Sequence, residues 1–466
     1  MRSRPTHVAG PALRRRTRQV VRPTEPPTDE IPIWTQPDGV SLATGRAVVD
    51  LAVRAGVALM ATGAAAVDVV AGMLRLTAAY GLRSVHVDVT FTAISVSYNR
   101  GPGADPLTVV RVVRNRNQDF TRLNRLQDLV EEVARSPGPV EEVRERFNSV
   151  IRAPHPYRRW VVTCAVALMG AGTSLLAGGG LVVVLTSMLS AAVISRAILA
   201  VTRGGLSAFF AQAVGAAVPT GFAVMLALVQ QSTGRLEGVL PSLVVASGIV
   251  VLLAGLSLVG AAQDAIEGFY VTASARVFQV LVLTLGIVVG IVVVLAAATM
   301  LGIVLAVSPE TVVTGGVPAQ LVAAALIAAG FAVSSYAGPR STTLAAIAGA
   351  VGWLVNLLLV GAGASASFAA ALAAWLVGFG AQLVGRRLRL SALAVTTAAI
   401  VPLLPGRAVY QGLFEIVSDP NGAGLYQGLG TLLQAAGVGM GLAAGVSLGS
   451  YLARFVDRAK ELVRDR

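Results

Sequence analysis

The chain has 466 residues, of which 55% are hydrophobic and only 13% charged, and its formal net charge is +13. Soluble proteins average about 25% charged residues, so a water-soluble globule of this length could not cover its surface, and most of the chain is expected to lie in lipid. The single cysteine excludes a disulfide scaffold and any multi-cysteine metal site. Because Lys460 is the only lysine, the chain has neither a GxxxxGK[ST] phosphate-binding loop nor a Schiff-base lysine in its membrane part, which disfavours ATP-driven transport by this chain alone.

Residues 1–40 are rich in proline and arginine and begin the water-facing part of the chain. This composition cannot bury a core and predicts a disordered tail. No apolar segment follows Arg14–Arg16, so the tail is not expected to be a signal peptide. We expect it to be solvated in the cytosol, with attraction to anionic lipid headgroups as the alternative.

Residues 41–157 are predicted to form a small cytosolic α+β domain. Apolar spacing predicts two helices, the second starting after Gly63 and ending at Gly81. Alternating β-branched residues predict strands over 84–90, 94–98 and 107–113, and helical spacing returns over 118–134 and 138–151. His86, in the first strand, has no histidine or cysteine near it in sequence and is interpreted as structural. The domain shows no catalytic constellation.

Ten apolar stretches follow, each near the 20 residues that a helix needs to cross a bilayer. They lie near 160–177, 180–201, 207–229, 239–261, 275–307, 316–337, 341–361, 366–384, 389–405 and 424–453. With the N-terminal domain in the cytosol, ten spans put Arg235 and Arg407 outside and every other basic loop residue inside, as the positive-inside rule requires. The charge pattern therefore predicts that both termini are cytoplasmic.

The membrane part is predicted to be an internal repeat. Its halves are residues 158–311 and 312–455, followed by a charged cytosolic tail over 456–466. The fourth span ends in Leu252-Leu253-Ala254-Gly255 and the ninth in Leu403-Leu404-Pro405-Gly406, and each is followed by a polar amphipathic stretch. Five spans per half force the two halves into opposite orientations, the inverted-repeat plan of many secondary transporters. Proline and glycine make these two segments candidates for helix breaks.

Glycines recur at four-residue spacing in the fifth and tenth spans. They are Gly286 and Gly290 in one, and Gly437, Gly441, Gly445 and Gly449 in the other. Small residues at this spacing let helix backbones approach closely in lipid, so we interpret them as packing residues.

The order of these parts resembles the threonine/serine exporter family of the ThrE type. The resembling segments are Gly63-Ala64, the 85–96 hairpin, Arg111–Val113, Asp119-Phe120, Leu123–Leu126, Leu253–Gly255, Gln263–Gly268 and Pro402–Gly406. The resemblance covers residues 41–455 and implies a cytosolic domain before two five-helix parts. It also implies export of small hydrophilic amino acids across a bacterial inner membrane, driven by the proton motive force. Two departures matter: Ala66-Val67-Asp68 replaces an Arg-Val-Glu triplet, and Ala254 replaces a common proline.

Polar residues at membrane depth are the candidates for the substrate and proton pathway. Asp264 is the sharpest of them, because it follows the first break and could accept a proton if it is partly desolvated; the alternative is a solvated interfacial carboxylate paired with Arg276. Glu415 is its approximate counterpart in the second half. The full candidate set is Asp264, Gln263, Glu267, Gly255, Pro405, Gly406, Gln411, Glu415, Thr220, Gln212 and Asn356.

These features favour a secondary transporter of threonine- and serine-like amino acids over other classes. An enzyme is not expected, because all three histidines precede the spans and Cys164 stands alone. A channel or structural membrane protein without proton coupling stays open as the alternative. The expected partners are the amino acid, protons and lipid, with no cofactor, metal or nucleic acid; assembly into a homo-oligomer is left open.

Overall fold

The computed structural model describes residues 39–101, 104–113, 117–234, 239–252, 255–303, 316–388, 390–418 and 423–464. The predicted tail over 1–40 lies outside the described residues except for its last two positions. The predicted boundary between the two membrane halves, at 311, also lies outside them.

The N-terminal part is an α+β unit whose helices and strands agree with the sequence prediction. It comprises α1 (Leu42–Ala61), α2 (Ala66–Ala79), β1 (Val85–Val89), β2 (Ala93–Tyr98), β3 (Leu107–Val112), α3 (Phe120–Arg135) and α4 (Val140–Arg152). The three strands form an antiparallel meander in the order β1-β2-β3. Aliphatic side chains of α1, α2 and α3 pack on one face of this sheet, which makes a single core. We refer to this unit as the cytosolic domain, after the location that the sequence predicts for it.

Local signals fix the ends of these helices. Gly63 and Gly81 have φ values of +103° and +83°, which residues with a side chain rarely adopt. These two glycines therefore allow the chain to leave α1 and α2. The side chains of Ser41 and Asp119 accept hydrogen bonds from the first turns of α1 and α3 as N-caps. His86 lies on the exposed face of β1 and pairs in register with Ser97.

The rest of the chain is a bundle of apolar helices. They are α5 (Arg159–Leu176), α6 (Leu181–Arg203), α7 (Ala208–Thr233), α8 (Ser242–Leu252), α9 (Gly255–Ile266), α10 (Tyr270–Met300), α11 (Val317–Ser334), α12 (Pro339–Gly361), α13 (Ala366–Leu388), α14 (Ala392–Ala399), α15 (Gly406–Ser418) and α16 (Ala423–Arg464). Within the described residues, eight helices are long and apolar enough to cross a membrane, and nine if the bent pair α8–α9 counts as one span. The chain is thus a polytopic helical membrane protein.

The structure differs from the predicted spans at three places. The stretch predicted as one span over 239–261 is two helices, α8 and α9, bent by 42°. The stretch over 389–405 is the short helix α14 followed by a 3-10 turn at Val401–Leu403. The predicted tail over 456–466 continues α16 as helix as far as Arg464, because nothing in that stretch terminates the helix.

The glycine-rich helices pack against their neighbours in parallel. A Cβ on Gly286 would meet the Phe209 carbonyl of α7, and one on Gly290 would overlap the Ala213 carbonyl. Residue numbers therefore rise together along α7 and α10.

The same arrangement recurs between α13 and α16. A Cβ on Gly441 would meet the Ser367 carbonyl of α13. Four residues later, a Cβ on Gly445 would overlap the Ala371 carbonyl, and after four more, one on Gly449 would overlap the Trp375 carbonyl. These contacts support the interpretation of the ladders as packing surfaces.

The helices α5 and α11 cross in opposite directions. Gly172, late in α5, packs against Ala323 and Ile327, whereas Gly330, late in α11, packs against Ala165 and Met169. This antiparallel contact joins the first membrane helix to the first helix after the undescribed stretch at 304–315.

The cytosolic domain docks on the loop between α11 and α12. The Phe120 backbone N–H donates to the Ser335 carbonyl at 3.0 Å, Thr121 Oγ1 donates to the Tyr336 carbonyl, and Tyr157 Oη donates to the Ala337 carbonyl at 2.8 Å. Three successive carbonyls of one loop are therefore held by the cytosolic domain.

The domain also contacts the beginning of α10. The Thr272 hydroxyl donates to the Val89 carbonyl of β1 at 3.3 Å. The start of α10 and the end of α11 accordingly lie on the same side of the helical bundle as the cytosolic domain.

Candidate functional site

A cavity of about 240 Å³ lies among the membrane helices, where the two interrupted segments meet. Its walls include the residues that flank both breaks, together with one side chain each from the cytosolic domain and α11. The lining residues that the site depends on are Val251, Ser257, Leu258, Leu404, Pro405, Gly406, Gln118 and Phe331. We refer to it as the inner cavity.

Physical causes for the two interruptions are present in the chain. Pro405 has no N–H to continue a helix, and Leu404 before it is extended, with φ −62° and ψ 137°. On the other side, Gln212 Nε2 of α7 donates to the Leu252 carbonyl at the end of α8, at 3.3 Å. A side chain of another helix thus binds the last described carbonyl of α8.

The first turns of α9 and α15 face the inner cavity. Ser257 and Leu258 belong to the first turn of α9, and Gly406 and Val409 to that of α15. The first N–H groups of a helix lack intrahelical acceptors and carry partial positive charge, which favours a carboxylate. Residues from the beginnings of both α9 and α15, which we call the half-helices, therefore line one space.

Asp264 lies in α9 and is 1% exposed. The Arg276 guanidinium of α10 lies 3.1 Å from it, measured from Nε to Oδ2. A Cβ on Gly260 would overlap Arg276 Nη1, so the absence of a side chain there leaves room for the guanidinium. The pairing with Arg276, which the sequence indicated as part of the alternative, is present, and the surrounding helices cover the Asp264 carboxylate.

Glu415 occupies the corresponding place in the second half. It follows Gly406 by nine residues, just as Asp264 follows Gly255 by nine. Its Oε1 accepts from Gln411 Nε2 at 3.1 Å, and its Oε2 accepts from the Thr431 hydroxyl of α16 at 2.8 Å. Each carboxylate thus joins a half-helix to the long helix that follows it, once by an ion pair and once by neutral donors.

The remaining sequence candidates are dispersed. Thr220 is buried in α7 and donates to the Ala216 carbonyl of its own helix. Asn356 and Gln263 are half-buried on α12 and α9, and neither lines the inner cavity. Glu267 lies exposed in the turn after α9. Pro405 and Gly406 line the inner cavity. Gln212 does not line it, but its side chain binds the carbonyl of Leu252, the residue after the lining residue Val251.

A second, larger cavity of about 980 Å³ lies between the cytosolic domain and the end of α11, and we call it the vestibule. Its lining carries charges of both signs and several amide and hydroxyl groups. The polar residues are Asp50, Arg54, Thr62, Arg111, Asn117, Gln118, Asp119, Arg122, Asn148, His155, Ser334, Ser335 and Tyr336. Gln118 and Phe331 line both the vestibule and the inner cavity.

Asp119 organises one wall of the vestibule. Its Oδ1 accepts from the Arg122 N–H at 2.9 Å as the N-cap of α3, and its Oδ2 lies 2.9 Å from His155 Nδ1. The His155 ring stacks on Tyr336 at 4.5 Å between centroids. Tyr336 is in the left-handed region, with φ 58°, the only side-chain-bearing residue there in the described part of the chain.

The vestibule was not predicted from the sequence. Its walls come from α1 and α3 and from the end of α11, which follows α3 by about 200 residues in the chain. The one local signal is Asp119, whose place before an apolar helical stretch is typical of an N-cap.

Comparison with known proteins identifies the family of the chain. Two family models match it: "Putative threonine/serine exporter" over residues 50–298, and "Threonine/Serine exporter, ThrE" over residues 320–451. The chain belongs to the threonine/serine exporter family. A Mycobacterium tuberculosis protein described as "Probable threonine/serine exporter" is 36% identical over 420 residues, which are 88% of this chain and 77% of that protein. The "Threonine/serine exporter" of Corynebacterium glutamicum is 34% identical over 420 residues, 88% of this chain and 83% of the relative.

No solved structure matches this member of the exporter family. The two family matches divide between residues 298 and 320, at the connection from α10 to α11. The family resemblance expected from the sequence is confirmed, and its members are described as exporters rather than enzymes.

Proposed function

We propose that this protein exports threonine, serine and similar small hydrophilic amino acids from the bacterial cytoplasm, in exchange for protons. The observation that carries the proposal is the inner cavity, into which the first turns of both half-helices face. Two positive helix ends attract a carboxylate, and Ser257 and Gln118 supply hydrogen-bonding groups for the rest of a small polar solute.

Parallel packing supports ten spans. Because α7 and α10 run in the same direction, the chain between them crosses the membrane once, through α8 and α9 together. Because α13 and α16 also run in the same direction, α14, the 3-10 turn and α15 together cross once. Contact of both ends of the α10–α11 pair with the cytosolic domain agrees with this count.

Antiparallel packing supports an inverted repeat. On this count α5 and α11 are the first spans of the two halves, and they cross in opposite directions. In each half the third and fifth spans pack in parallel through glycines, and the fourth is broken. Two inverted halves with a site at their broken helices are typical of transporters that expose the site to each side in turn. The domain limits at 157, 311 and 455 are part of this proposal.

Proton exchange is assigned to Asp264. A buried carboxylate within the helices is a proton-carrying group by default, and release of Arg276 on protonation would couple the fourth span of the first half to the fifth. The proposed ten-span topology has both termini in the cytoplasm. The wider set of pathway candidates from the sequence, including Gln411 and Glu415, stays with this proposal.

The test is threonine flux in proteoliposomes that contain the full chain. We expect an imposed pH gradient to drive threonine against its concentration gradient, and a protonophore to abolish that accumulation. Serine should compete, whereas leucine should not. Threonine flux that is indifferent to the pH gradient would contradict proton exchange, and flux that also failed to saturate would favour the channel-like alternative. The absence of threonine flux would contradict the assigned substrate.

A further inference from the structure

We infer that the vestibule is a first binding site for the exported amino acid, separate from the inner cavity. This inference rests on the proposed function and adds a second site to it. The vestibule opens between the cytosolic domain and the end of α11, on the side from which an exported solute enters. At about 980 Å³ it is at the upper end of the range for small-molecule sites and accommodates a small solute with its water.

The charges of the vestibule match those of a zwitterion. Arg111 lies on β3 with an exposed side chain, and among the described residues it has no acidic oxygen within 4 Å. The other two arginines of the lining are engaged, Arg54 with Asp50 at 2.8 Å and Arg122 with the Ala153 carbonyl at 2.8 Å. Arg111 is therefore the cation that can bind a ligand carboxylate without giving up a protein partner.

The ammonium group is assigned to Asp50. The other carboxylate of the lining, Asp119, has a 5% exposed side chain and both oxygens bound, to the α3 backbone and to His155. Asp50 is 31% exposed and faces the vestibule while paired with Arg54 and Arg144. It is the accessible anion of this cavity.

The vestibule adjoins the inner cavity. Gln118 and Phe331 belong to the walls of both, so these two residues lie where the two spaces come together. The Ser335 hydroxyl donates to Gln118 Oε1 at 3.4 Å, and Phe120 packs on Phe331 with ring centroids 6.5 Å apart. The contact between the domain and the α11–α12 loop thus holds the two residues that the cavities share.

The experiment measures threonine uptake into inside-out membrane vesicles, where the cytosolic face is outside. Arg111→Gln should raise KM for threonine about tenfold with kcat changed less than twofold, because a charge-assisted hydrogen bond to the carboxylate is lost. Arg111→Lys should stay within about threefold of wild type, since it keeps the charge. Asp50→Asn should also raise KM. The matched controls are Arg135→Gln and Glu131→Gln, an exposed ion pair on α3 outside the vestibule, which should leave KM unchanged.

A competition assay with threoninamide, which has no carboxylate, distinguishes binding from a structural effect. In wild type, serine should inhibit threonine uptake much better than threoninamide does, and in Arg111→Gln this preference should shrink about tenfold. Wild-type KM and an unchanged preference in Arg111→Gln would overturn the vestibule site while leaving threonine export intact. If wild type itself transports no threonine, the proposed function fails, and this inference fails with it.

Discussion

The Arg276 guanidinium of α10 lies against the Asp264 carboxylate of α9. It occupies a space that is open because Gly260, one turn before Asp264 on α9, has no side chain. The side chains of Asp264 and Arg276 are 2% and 16% exposed, so each would be an uncompensated charge without the other. Removing one member of a buried pair is far more costly than removing both. Stability and proton exchange can therefore be separated by mutation at this site.

Asp264→Asn is expected to abolish pH-driven threonine accumulation and to lower thermal stability. The amide cannot carry a proton, and Arg276 loses its partner, at a cost of about 3–5 kcal/mol. The double variant Asp264→Asn/Arg276→Gln should recover most of the stability without recovering the pH-driven flux. Melting of the purified protein and flux in proteoliposomes measure the two effects.

Glu131→Gln is the matched control, because Glu131 is an exposed carboxylate of α3 that lines neither cavity. It should change neither quantity. A double variant that regains pH-driven accumulation would show that the proton is carried elsewhere, and Glu415 would be the next carboxylate to replace.

Two glycines of α16 are expected to respond oppositely to alanine. Gly445→Ala should destabilise the protein by about 1–3 kcal/mol, because its Cβ would overlap the Ala371 carbonyl, a backbone atom that cannot move aside. Gly430→Ala meets nothing within 4 Å and should raise stability by up to about 1 kcal/mol through helix propensity. Thermal unfolding in detergent compares them; equal shifts would contradict close packing of α13 on α16.

Tyr157→Phe is expected to loosen the cytosolic domain from the α11–α12 loop. The Tyr157 hydroxyl donates to the Ala337 carbonyl at 2.8 Å, and burial raises its pKa further above neutral pH. Loss of this bond should cost about 1 kcal/mol and speed exchange of the Phe120 amide, which donates to the same loop, about fivefold.

Tyr80→Phe serves as the comparison for that experiment. Its hydroxyl donates to the Gly138 carbonyl within the cytosolic domain at 2.8 Å. This variant should lower the stability of the domain without selectively exposing the Phe120 amide. Faster exchange at Phe120 in Tyr80→Phe alone would contradict the docking role of Tyr157.

The pair Glu132–Arg146 should make the contact between α3 and α4 sensitive to acid. A hydrogen bond from Arg146 at 2.6 Å holds the pKa of Glu132 below its ordinary value. Because the folded pKa is the lower one, the stabilising effect is present above the unfolded pKa of about 4.3 and is lost as pH falls through the folded pKa. Wild type should therefore melt above Glu132→Gln at pH 7, and the difference should shrink as the pH is lowered below about 4.3. Glu145→Gln, an exposed carboxylate on α4, should show no such pH-dependent difference.

The cytosolic domain was predictable from sequence because its patterns are local. Alternation over 85–98 specifies strands, and glycine at 63 and 81 specifies helix ends. The family, too, followed from the order of short motifs. None of this depended on contacts between distant residues.

The broken fourth spans were predictable in place but not in form. Hydropathy is continuous over 239–261, so composition alone reads it as one helix. The helices on either side of the interruption are bound by Gln212 and Arg276, which belong to other helices, and no pattern along one segment contains such contacts. The vestibule could not be predicted for the same reason, because residues as far apart in the chain as Gln118 and Phe331 line it together.

Docking on the α11–α12 loop has a consequence for the energetics of transport. Two equivalent inverted halves alone would favour the inward- and outward-facing states equally, because the halves exchange their conformations between the two states. The cytosolic domain binds one loop of one half, and in the proposed topology the matching loop, between α5 and α6, lies on the far side of the membrane. Each kilocalorie by which this contact differs between the states shifts their population about fivefold. In the proposed transport cycle, contact between the N-terminal domain and this loop would therefore bias the resting equilibrium between the two states.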